Sequence, residues 1–291
     1  MPVSPFNTGH PSTWVLYGAR VARSSSQSSR LTINIQDKSL HSLSTPSDTV
    51  EVTLSPSASL DLHGMIVLPG LINAHDHLEF GCFPRLGNGP YEDARAWALD
   101  IYHPDQSPIR ELLQISKPTR LFWGGLKNLF SGVTTVCHHN AYEKEVFADS
   151  FPVRVLDRYG WSHSFAFSND VRADFDKTPH DAPFLIHAAE GTTTESRKEI
   201  SRLEHFGLLN SQTVIVHGVA LEAEDWKTLG ERGVGLIWCP SSNLFTLGKT
   251  LDLDLLRSKT RVALGSDSPL TAQGDFLDEI HFAKEIGRAH V

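Results

Sequence analysis

Residues 67–79 read VLPGLINAHDHLE, and they continue an apolar run that begins at Met65. The run over residues 65–72 has the length and composition of a fully buried strand. His75 and His77 come two residues apart at its end, and in an extended chain residues i and i+2 point to the same side. The stretch therefore predicts two adjacent ligands of one metal ion. The alternative is two unrelated surface histidines, since the chain contains 15 of them.

Length, charge and cysteine content predict a cytoplasmic protein, and the partner expected for it is a small-molecule substrate. The 291 residues carry a formal net charge of −8, which argues against a nucleic-acid or anionic-membrane partner. Cys82, Cys137 and Cys239 are odd in number and widely spaced, so we expect free thiols and neither a disulfide framework nor a thiolate zinc site. The polar start predicts no signal peptide, and no apolar run reaches the ~18 residues of a membrane span. A homo-oligomer is compatible with the sequence.

The residue pattern divides the chain into a small β domain and a larger α/β domain. Residues 14–21, 31–35 and 50–54 are short β-type segments between polar turns. They predict an antiparallel sheet, part of an incomplete β-sandwich over residues 1–62. Over residues 63–284 short apolar strands alternate with longer amphipathic segments, the pattern of a parallel sheet. Residues 285–291, EIGRAHV, are interpreted as a non-native tail.

Eight strand candidates predict that the larger domain is a TIM-like (β/α)8 barrel, truncated near strand 8 and helix 8. A first helix is predicted to bury an apolar stripe of Phe122, Leu126, Leu129 and Phe130. Further helices are predicted over residues 200–206 and 221–231. The strand candidates are residues 65–73, 133–138, 153–156, 164–167, 184–187, 213–217, 235–239 and 261–265.

Titratable side chains follow five of these apolar strands directly. A barrel carries its catalytic residues at the carboxyl ends of its strands, so we expect these side chains to converge. Any one of them is equally well explained as the start of a loop, but the repetition favours a site. They are His75, His77, His138, His139, His187, His217 and Asp267.

The strand ends supply three imidazole nitrogens and one carboxylate, a donor set for one Zn²⁺ or Fe²⁺ that leaves a position for water. The predicted ligands are His75, His77, His187 and Asp267. Such a metal lowers the pKa of its water from ~16 toward ~7. Glu190, three residues after His187, is predicted to carry a proton from that water to the substrate; the alternative is an acid at a helix start. His217 is predicted to polarise the attacked group or to orient the nucleophile.

Secondary candidates have structural alternatives of equal weight. Glu79, His138 and Asn243 are predicted substrate contacts, and His139 is the alternative to His138 at the end of the second strand. Trp161 and His163 are candidates for an aromatic wall. Each of these residues is also explained as a core, capping or solvated side chain.

The chain resembles the amidohydrolase superfamily of metal-dependent hydrolases. Within it, the resemblance is to the branch of cytosine, guanine and S-adenosylhomocysteine deaminases and triazine chlorohydrolases. Six segments carry the resemblance in the family's order, and together they cover most of the chain. They are PGLINAHDH (69–77), GVTTV (132–136), HAAE (187–190), VHG (216–218), CPSSN (239–243) and LGSDS (264–268).

The resemblance implies the same four metal ligands, with Glu190 as proton shuttle and His217 acting on the substrate. It also implies that Asp267 passes a proton to the leaving group. Members with two metals carry a bridging lysine on strand four, and residues 162–169 contain none, so one metal is implied.

The HAAE segment favours hydrolytic deamination of a nucleobase, nucleoside or related aromatic heterocycle. The implied mechanism is attack of activated water on a ring carbon, protonation of the ring by Glu190 and expulsion of ammonia. The alternatives are a chlorohydrolase or cyclic amide hydrolase on the same site and, in a different class, a truncated and catalytically silent barrel. Members are usually longer, and the return strands of the small β domain are not found in this sequence.

Overall fold

The computed structural model describes residues 13–24, 26–37, 39–45, 58–252 and 260–289. The chain forms two compact units, Met1–Pro69 and Gly70–Val291. The division falls after Pro69, whereas the sequence prediction placed it after residue 62. None of the described helices is long and apolar enough to cross a membrane.

The described part of the first unit consists of short strands in two small sheets. One sheet has the order β5-β4-β1-β6 and the other β3-β2-β7. The strands are β1 (Thr13–Tyr17), β2 (Arg20–Ala22), β3 (Ser28–Arg30), β4 (Thr32–Gln36), β5 (Ser39–Ser44), β6 (Ala58–Asp61) and β7 (Ile66–Val67).

Two predictions for this unit are wrong in detail. The pairs β1–β6 and β2–β7 are parallel, so the sheets are mixed and not antiparallel. Residues 14–21 do not form one strand, because Gly18 takes a positive φ of 80° that breaks the extended chain between β1 and β2. The predicted strand at residues 50–54 lies outside the described residues. The β-sandwich stays a prediction.

The second unit is an α/β structure with parallel sheets. Its two sheets have the orders β10-β9-β8 and β11-β12-β13-β14-β15, and their pairs are parallel. An isolated parallel bridge between Asp76 and Asp267 links the end of β8 to the residues that follow β15. The strands are β8 (Leu71–Asp76), β9 (Val133–His138), β10 (Arg154–Val155), β11 (Gly160–Ser164), β12 (Phe184–Ala188), β13 (Thr213–His217), β14 (Gly235–Trp238) and β15 (Arg261–Leu264).

Two of the eight predicted strands are misplaced. The fourth was expected at residues 164–167, but Gly160, Trp161 and Ser162 pair with Phe184, Leu185 and Ile186 of β12. The pairing therefore ends the strand at Ser164, and residues 165–167 form a turn.

The first strand is shorter than expected and is not fully buried. β8 begins at Leu71, because Ile66 and Val67 pair with β2 in the first unit. The side chain of Ile72 is 64% exposed, and Met65, Ile66 and Leu68 are exposed as well. Apolar composition alone does not determine which face of a short strand is covered.

Eight helices occur among the described residues, together with a 3₁₀ turn at Leu78–Phe80. The helix predicted over residues 221–231 corresponds to α6, which begins after a capping box formed by Glu222 and Asp225. The helices are α1 (Ala94–Ile101), α2 (Ile109–Leu113), α3 (Lys117–Phe130), α4 (Val171–Asp176), α5 (Thr194–His205), α6 (Ala223–Arg232), α7 (Pro240–Leu247) and α8 (Phe276–Ala289).

The buried face of α3 is not the predicted apolar stripe. Phe130 is 77% exposed, and Phe122 and Leu129 are exposed too. The helix packs instead through Gly124, where an added Cβ would lie 2.3 Å from the carbonyl oxygen of Leu78. Glycine permits this close approach, and it gives no signal in a hydrophobic pattern.

Alternate residues of the central strands face two different parts of the core. Phe184, Ile215 and Leu236 pack with the buried faces of α5 and α6. Leu185, Val216 and Ile237 form a separate buried cluster on the other side of the sheet. His187 lies two residues after Leu185, so β12 directs its imidazole to that second side.

Candidate metal centre and active site

The predicted metal ligands meet at the carboxyl ends of β8, β12 and β15. His75 and His187 approach through their Nε2 atoms, which lie 3.2 Å apart. One carboxylate oxygen of Asp267, Oδ1, lies 3.5 Å from Nε2 of His75 and 3.7 Å from Nε2 of His77. All four side chains are buried. Residues separated by up to 192 positions in the sequence thus present their donor atoms to one point.

Hydrogen bonds fix the tautomers of two of these histidines. The carbonyl oxygen of His163 accepts from Nδ1 of His187 at 2.8 Å. The carbonyl oxygen of Ser162 accepts from Nε2 of His139 at 3.1 Å, which leaves Nδ1 of His139 to accept from Nδ1 of His75 at 3.2 Å. A neutral imidazole carries one proton, so the two Nε2 atoms that face each other both carry lone pairs.

Burial keeps these imidazoles neutral. Burial lowers the pKa of His75, and it lowers the pKa of His77 and His187 well below the usual value, with the neighbouring histidines adding to the effect. Two lone pairs that face each other at 3.2 Å repel unless a cation lies between them. Neutral histidines are also the form that binds a metal.

Asp267 is held as a carboxylate. Burial favours its protonated form, but the nearby histidines outweigh burial and hold the pKa of Asp267 well below its usual range. Its second oxygen, Oδ2, accepts from the hydroxyls of Ser242 at 2.6 Å and Thr271 at 2.9 Å. These two bonds leave Oδ1 directed at the histidines.

The donor set fits a divalent metal. With bonds of about 2.1 Å, neighbouring donors of a tetrahedral site lie about 3.4 Å apart, and the separations here are 3.2, 3.5 and 3.7 Å. Cys239 also lies within reach of His75 and His217. Burial raises the pKa of the Cys239 thiol well above its usual value, however, and a protonated thiol is a poor ligand. The three histidines and Asp267 are therefore the better set.

Glu190 and His217 form a second pair beside these donors. Nε2 of His217 lies 3.5 Å from Oε1 of Glu190, and its Nδ1 donates to Oδ1 of Asn243 at 2.7 Å. Burial raises the pKa of Glu190 to about 7, against the opposing effect of His217. Glu190 is thus able to gain and lose a proton near neutral pH.

Three residues at the strand ends have positive φ angles, which are unusual for residues other than glycine. They are Ala189 (55°), His217 (72°) and Asp267 (61°). Asp267 is held in place by its backbone, which donates to the carbonyl of His75 and accepts from His77 N–H, both at 3.0 Å. Such strained positions persist where the surrounding structure over-determines them, and they concentrate at functional sites.

A buried polar network joins the ends of β8 and β15 to helix α3. The amide nitrogen of Asn73 contacts Asp76, Asn128 and Ser266 at 2.7–3.1 Å, and its oxygen accepts from the backbone of Ser266 at 3.0 Å. Asn128 also donates to Asp76 at 2.8 Å. Because Asn73 and Ser266 flank the ligands His75 and Asp267, the network fixes the distance between the two strand ends.

The three predicted substrate contacts lie beside the site and have other partners. Oε1 of Glu79 accepts from Asn140, and Oε2 lies 3.7 Å from Nε2 of His138. Nδ1 of His138 accepts from the backbone of Leu78 at 3.3 Å, and Asn243 orients His217. Direct contact of Glu79, His138 or Asn243 with a substrate stays a prediction.

A cavity of about 340 Å³ opens onto the metal donors. Its inner end is lined by His77, His187, Glu190, His217 and Asp267, and His163 is also part of its wall. Trp161, the other predicted wall residue, is not part of this lining. The outer wall comes from the 3₁₀ turn at Leu78–Phe80 and from α1 and α2, a region for which the sequence predicted no element.

Several orienting residues were missed by sequence reasoning. Ser242, Thr271, Asn73 and Asn140 act through hydrogen bonds to ligands or their neighbours. Two of them lie within segments that carry the family resemblance, Asn73 in PGLINAHDH and Ser242 in CPSSN. The available signal was a polar residue close to a predicted ligand. The sequence does not show which group that residue would bond.

Comparison with curated proteins finds deaminases, whereas no protein-family model matches the chain. The 5-methylthioadenosine/S-adenosylhomocysteine deaminase of Syntrophobacter fumaroxidans is 24% identical over 276 residues, covering 76% of this chain and 61% of the relative. The enzyme of the same name from Pyrococcus furiosus is 26% identical over 296 residues, covering 80% and 66%. The chain thus spans less than two thirds of the length of these relatives.

Solved structures show the same fold. An adenosine deaminase from Xanthomonas campestris with bound zinc has a TM-score of 0.69 at 17% identity, covering 95% of this chain and 74% of that one. An atrazine chlorohydrolase from Arthrobacter aurescens, complexed with zinc, has a TM-score of 0.60 at 16% identity, covering 90% and 73%. The resemblance to the amidohydrolase superfamily is confirmed. The zinc belongs to those two structures; in this chain the donor atoms of His75, His77 and His187 lie close enough together to hold one metal ion.

Proposed function

We propose that this chain is a metal-dependent hydrolase that removes an amino group from an aromatic heterocycle, such as a nucleobase or nucleoside. We further propose that its eight parallel strands form a (β/α)8 barrel and that one Zn²⁺, or alternatively Fe²⁺, is held by His75, His77, His187 and Asp267. The observation that carries the proposal is the 3.2 Å approach of Nε2 of His75 to Nε2 of His187, since the partners of the other ring nitrogens favour tautomers without a proton on either Nε2.

A bound divalent metal would supply a water of lowered pKa as the nucleophile. Glu190 takes the proton of the nucleophile and gives it to a ring nitrogen of the substrate, a transfer that its pKa of about 7 allows near neutral pH. His217, with Nδ1 bonded to Asn243, directs Nε2 toward the reacting carbon. The oxygen of the water adds to the ring carbon, and Asp267 passes the remaining proton of the added hydroxyl to the amino group. The carbon–nitrogen bond then breaks, which releases ammonia and leaves a ring carbonyl.

The protonatable Glu190 favours deamination over the alternatives. Loss of ammonia from a ring carbon requires protonation of a ring nitrogen and of the leaving amine. Chloride needs no proton to leave, so a chlorohydrolase has less use for a carboxyl of pKa about 7. The relatives that are named as deaminases agree with this preference.

The test begins with the metal content of the purified protein and of His187→Ala. We expect about one tightly held transition metal per wild-type chain and a much lower metal content in His187→Ala, because that substitution removes one of the four donors. His205→Ala, which removes an exposed histidine of α5, is the matched control and should keep the metal. Two metals per chain would contradict the mononuclear site, and folded wild type without metal would contradict the catalytic proposal.

The reaction is tested on the metal-loaded protein with heterocyclic amines and their chloro analogues. We expect ammonia release that depends on Glu190. Chloride release without ammonia would identify a chlorohydrolase, and neither product from a metal-loaded protein would identify the silent barrel.

A further inference from the structure

The outer part of the cavity is lined mainly by apolar side chains from the metal donors to its mouth. The ring of Phe80 lies 6.1 Å from that of His77, and the ring of Phe83 lies edge-on to Phe80 at 5.3 Å. The remaining outer wall consists mainly of apolar side chains from α1 and α2. They include Trp97, Ile101, Ile109 and Leu113.

Polar partners for a substrate are concentrated at the inner end, and the hydroxyl of Tyr102 is the exception in the outer wall. Among the described residues that line the cavity, Glu190 and Asp267 are the acids, and no Lys, Arg, Asn or Gln side chain contributes. The indole N–H of Trp97 already donates to the carbonyl of Leu86 at 3.0 Å. A sugar in the outer part would therefore lose several hydrogen bonds to water and find one side-chain hydroxyl, that of Tyr102, in return. The loss is unfavourable for each buried hydroxyl left without a partner.

The wall is held to the catalytic loop, so its position is fixed before a substrate enters. The backbone N–H of Ala94, the first residue of α1, donates to the carbonyl of Glu190 at 3.2 Å, and Thr192 N–H donates to Glu92 at 2.8 Å. Asp93 and Gly191 form an isolated antiparallel bridge. These contacts place α1 directly against the loop that carries the proton shuttle.

We propose that the outer cavity binds an uncharged alkyl or aryl substituent on the heterocyclic amine and discriminates against a ribosyl substituent. The inference rests on the proposed deaminase function and narrows its substrate class. The reacting ring lies at the metal donors, and its apolar arm lies against Phe80, Trp97 and Ile101. With a volume of about 340 Å³, near the lower end of the range for small-molecule sites, the cavity suits one ring system with one compact arm.

The experiment compares substrates that differ only in this arm, on zinc-loaded full-length protein. The probes are 9-benzyladenine, adenosine and adenine, and in parallel 1-benzylcytosine, cytidine and cytosine. Binding is measured by calorimetry, and kcat/KM by ammonia release. We expect the benzyl compound of at least one ring series to be preferred over the riboside by about tenfold or more, because the apolar arm is buried and most sugar hydroxyls are left without partners.

A pair of variants on α1 locates the effect. Ile101→Asn places a polar amide in the wall and should reduce the benzyl-to-riboside ratio about fivefold or more. Leu99→Asn makes the same kind of change at an exposed position of the same helix and should leave the ratio unchanged. An unchanged ratio in Ile101→Asn would overturn the assignment of this wall.

The outcomes separate specificity from function. Equal or stronger binding of the ribosides in both series, or no binding of any probe, overturns the proposal that the outer cavity binds an apolar substituent. Ammonia release with no preference between benzyl and ribosyl substituents overturns the proposed apolar site and leaves the deaminase function standing. Preferential binding of the benzyl compounds without ammonia release supports the apolar site in the outer cavity and counts against deamination.

Discussion

His139 accepts a hydrogen bond from His75, with their Nδ1 atoms 3.2 Å apart, and is itself anchored to the carbonyl of Ser162. His139 does not line the cavity; it sets the tautomer of His75, one of the predicted metal ligands. Partners of this kind orient metal-binding histidines and commonly change metal affinity about 10–100-fold when they are replaced.

Two substitutions of His139 should separate its two hydrogen bonds. His139→Gln keeps a donor near Ser162 but removes the acceptor for His75, so we expect zinc affinity to fall about 10–100-fold. His139→Asn keeps an oxygen close to the position of Nδ1 and should retain more of the affinity. Chelator competition measures both. Equal affinity in the two variants would contradict the relay from Ser162 to His75.

Glu190→Gln should remove the proton shuttle and leave the metal in place. We expect kcat to fall about 10²–10⁴-fold, with unchanged metal content, because Glu190 is not among the donors. Glu195→Gln, at an exposed position in the first turn of α5, is the control and should retain activity. Loss of metal in Glu190→Gln would show that its carboxylate is a ligand.

Gly265→Ala should disturb the contact between the segment after β15 and β8. An added Cβ would lie 2.6 Å from Cβ of His75, so His75 or the backbone must shift, at about 1–3 kcal/mol of unfolding free energy. Metal occupancy should fall with it. Gly287→Ala meets no atom within 4 Å and should be neutral or stabilising, by up to about 1 kcal/mol. Thermal denaturation and metal analysis of both variants provide the comparison.

Glu279 should make stability depend on pH. It accepts from the backbone N–H of Ser241 at 3.0 Å and from its hydroxyl, yet burial raises its pKa to about 7, above the usual 4.5. A raised carboxyl pKa in the folded state contributes stability that is fully present below about pH 4.5 and is lost as the pH rises through 7. Relative to Glu279→Gln, wild type should lose roughly 1–3 kcal/mol between pH 5 and pH 8.

The control for this pH dependence is Glu231→Gln, on the exposed surface of α6. Its stability should follow wild type across the same range in denaturant titrations. A constant difference between wild type and Glu279→Gln from pH 5 to pH 8 would show that Glu279 does not change its protonation state there.

The sequence predicted the strand ends better than the surfaces between elements. His187 and His217 follow uninterrupted apolar strands, so both the strand and the exit of the polar side chain could be inferred. The limits of the fourth strand could not be inferred, because they depend on its hydrogen-bonding register with β12. The buried face of α3 depends on Gly124, and a glycine contact adds nothing to an apolar pattern. The role of His139 depends on a backbone carbonyl of another strand, which residue type does not specify.

The outer wall of the cavity comes mainly from one continuous stretch, residues 80–113, whereas the reacting groups come from separate strand ends. Chemistry and selectivity are therefore encoded in different parts of the chain. A recombination event that exchanges this stretch, and keeps the backbone contacts of residues 92–94 with the loop of Glu190, would change which molecules enter while leaving the reaction centre intact. Descendants of such a chain would diversify by replacing one segment, and a protein engineer has the same route: a library confined to residues 80–113 samples new substrates on an unaltered catalytic framework.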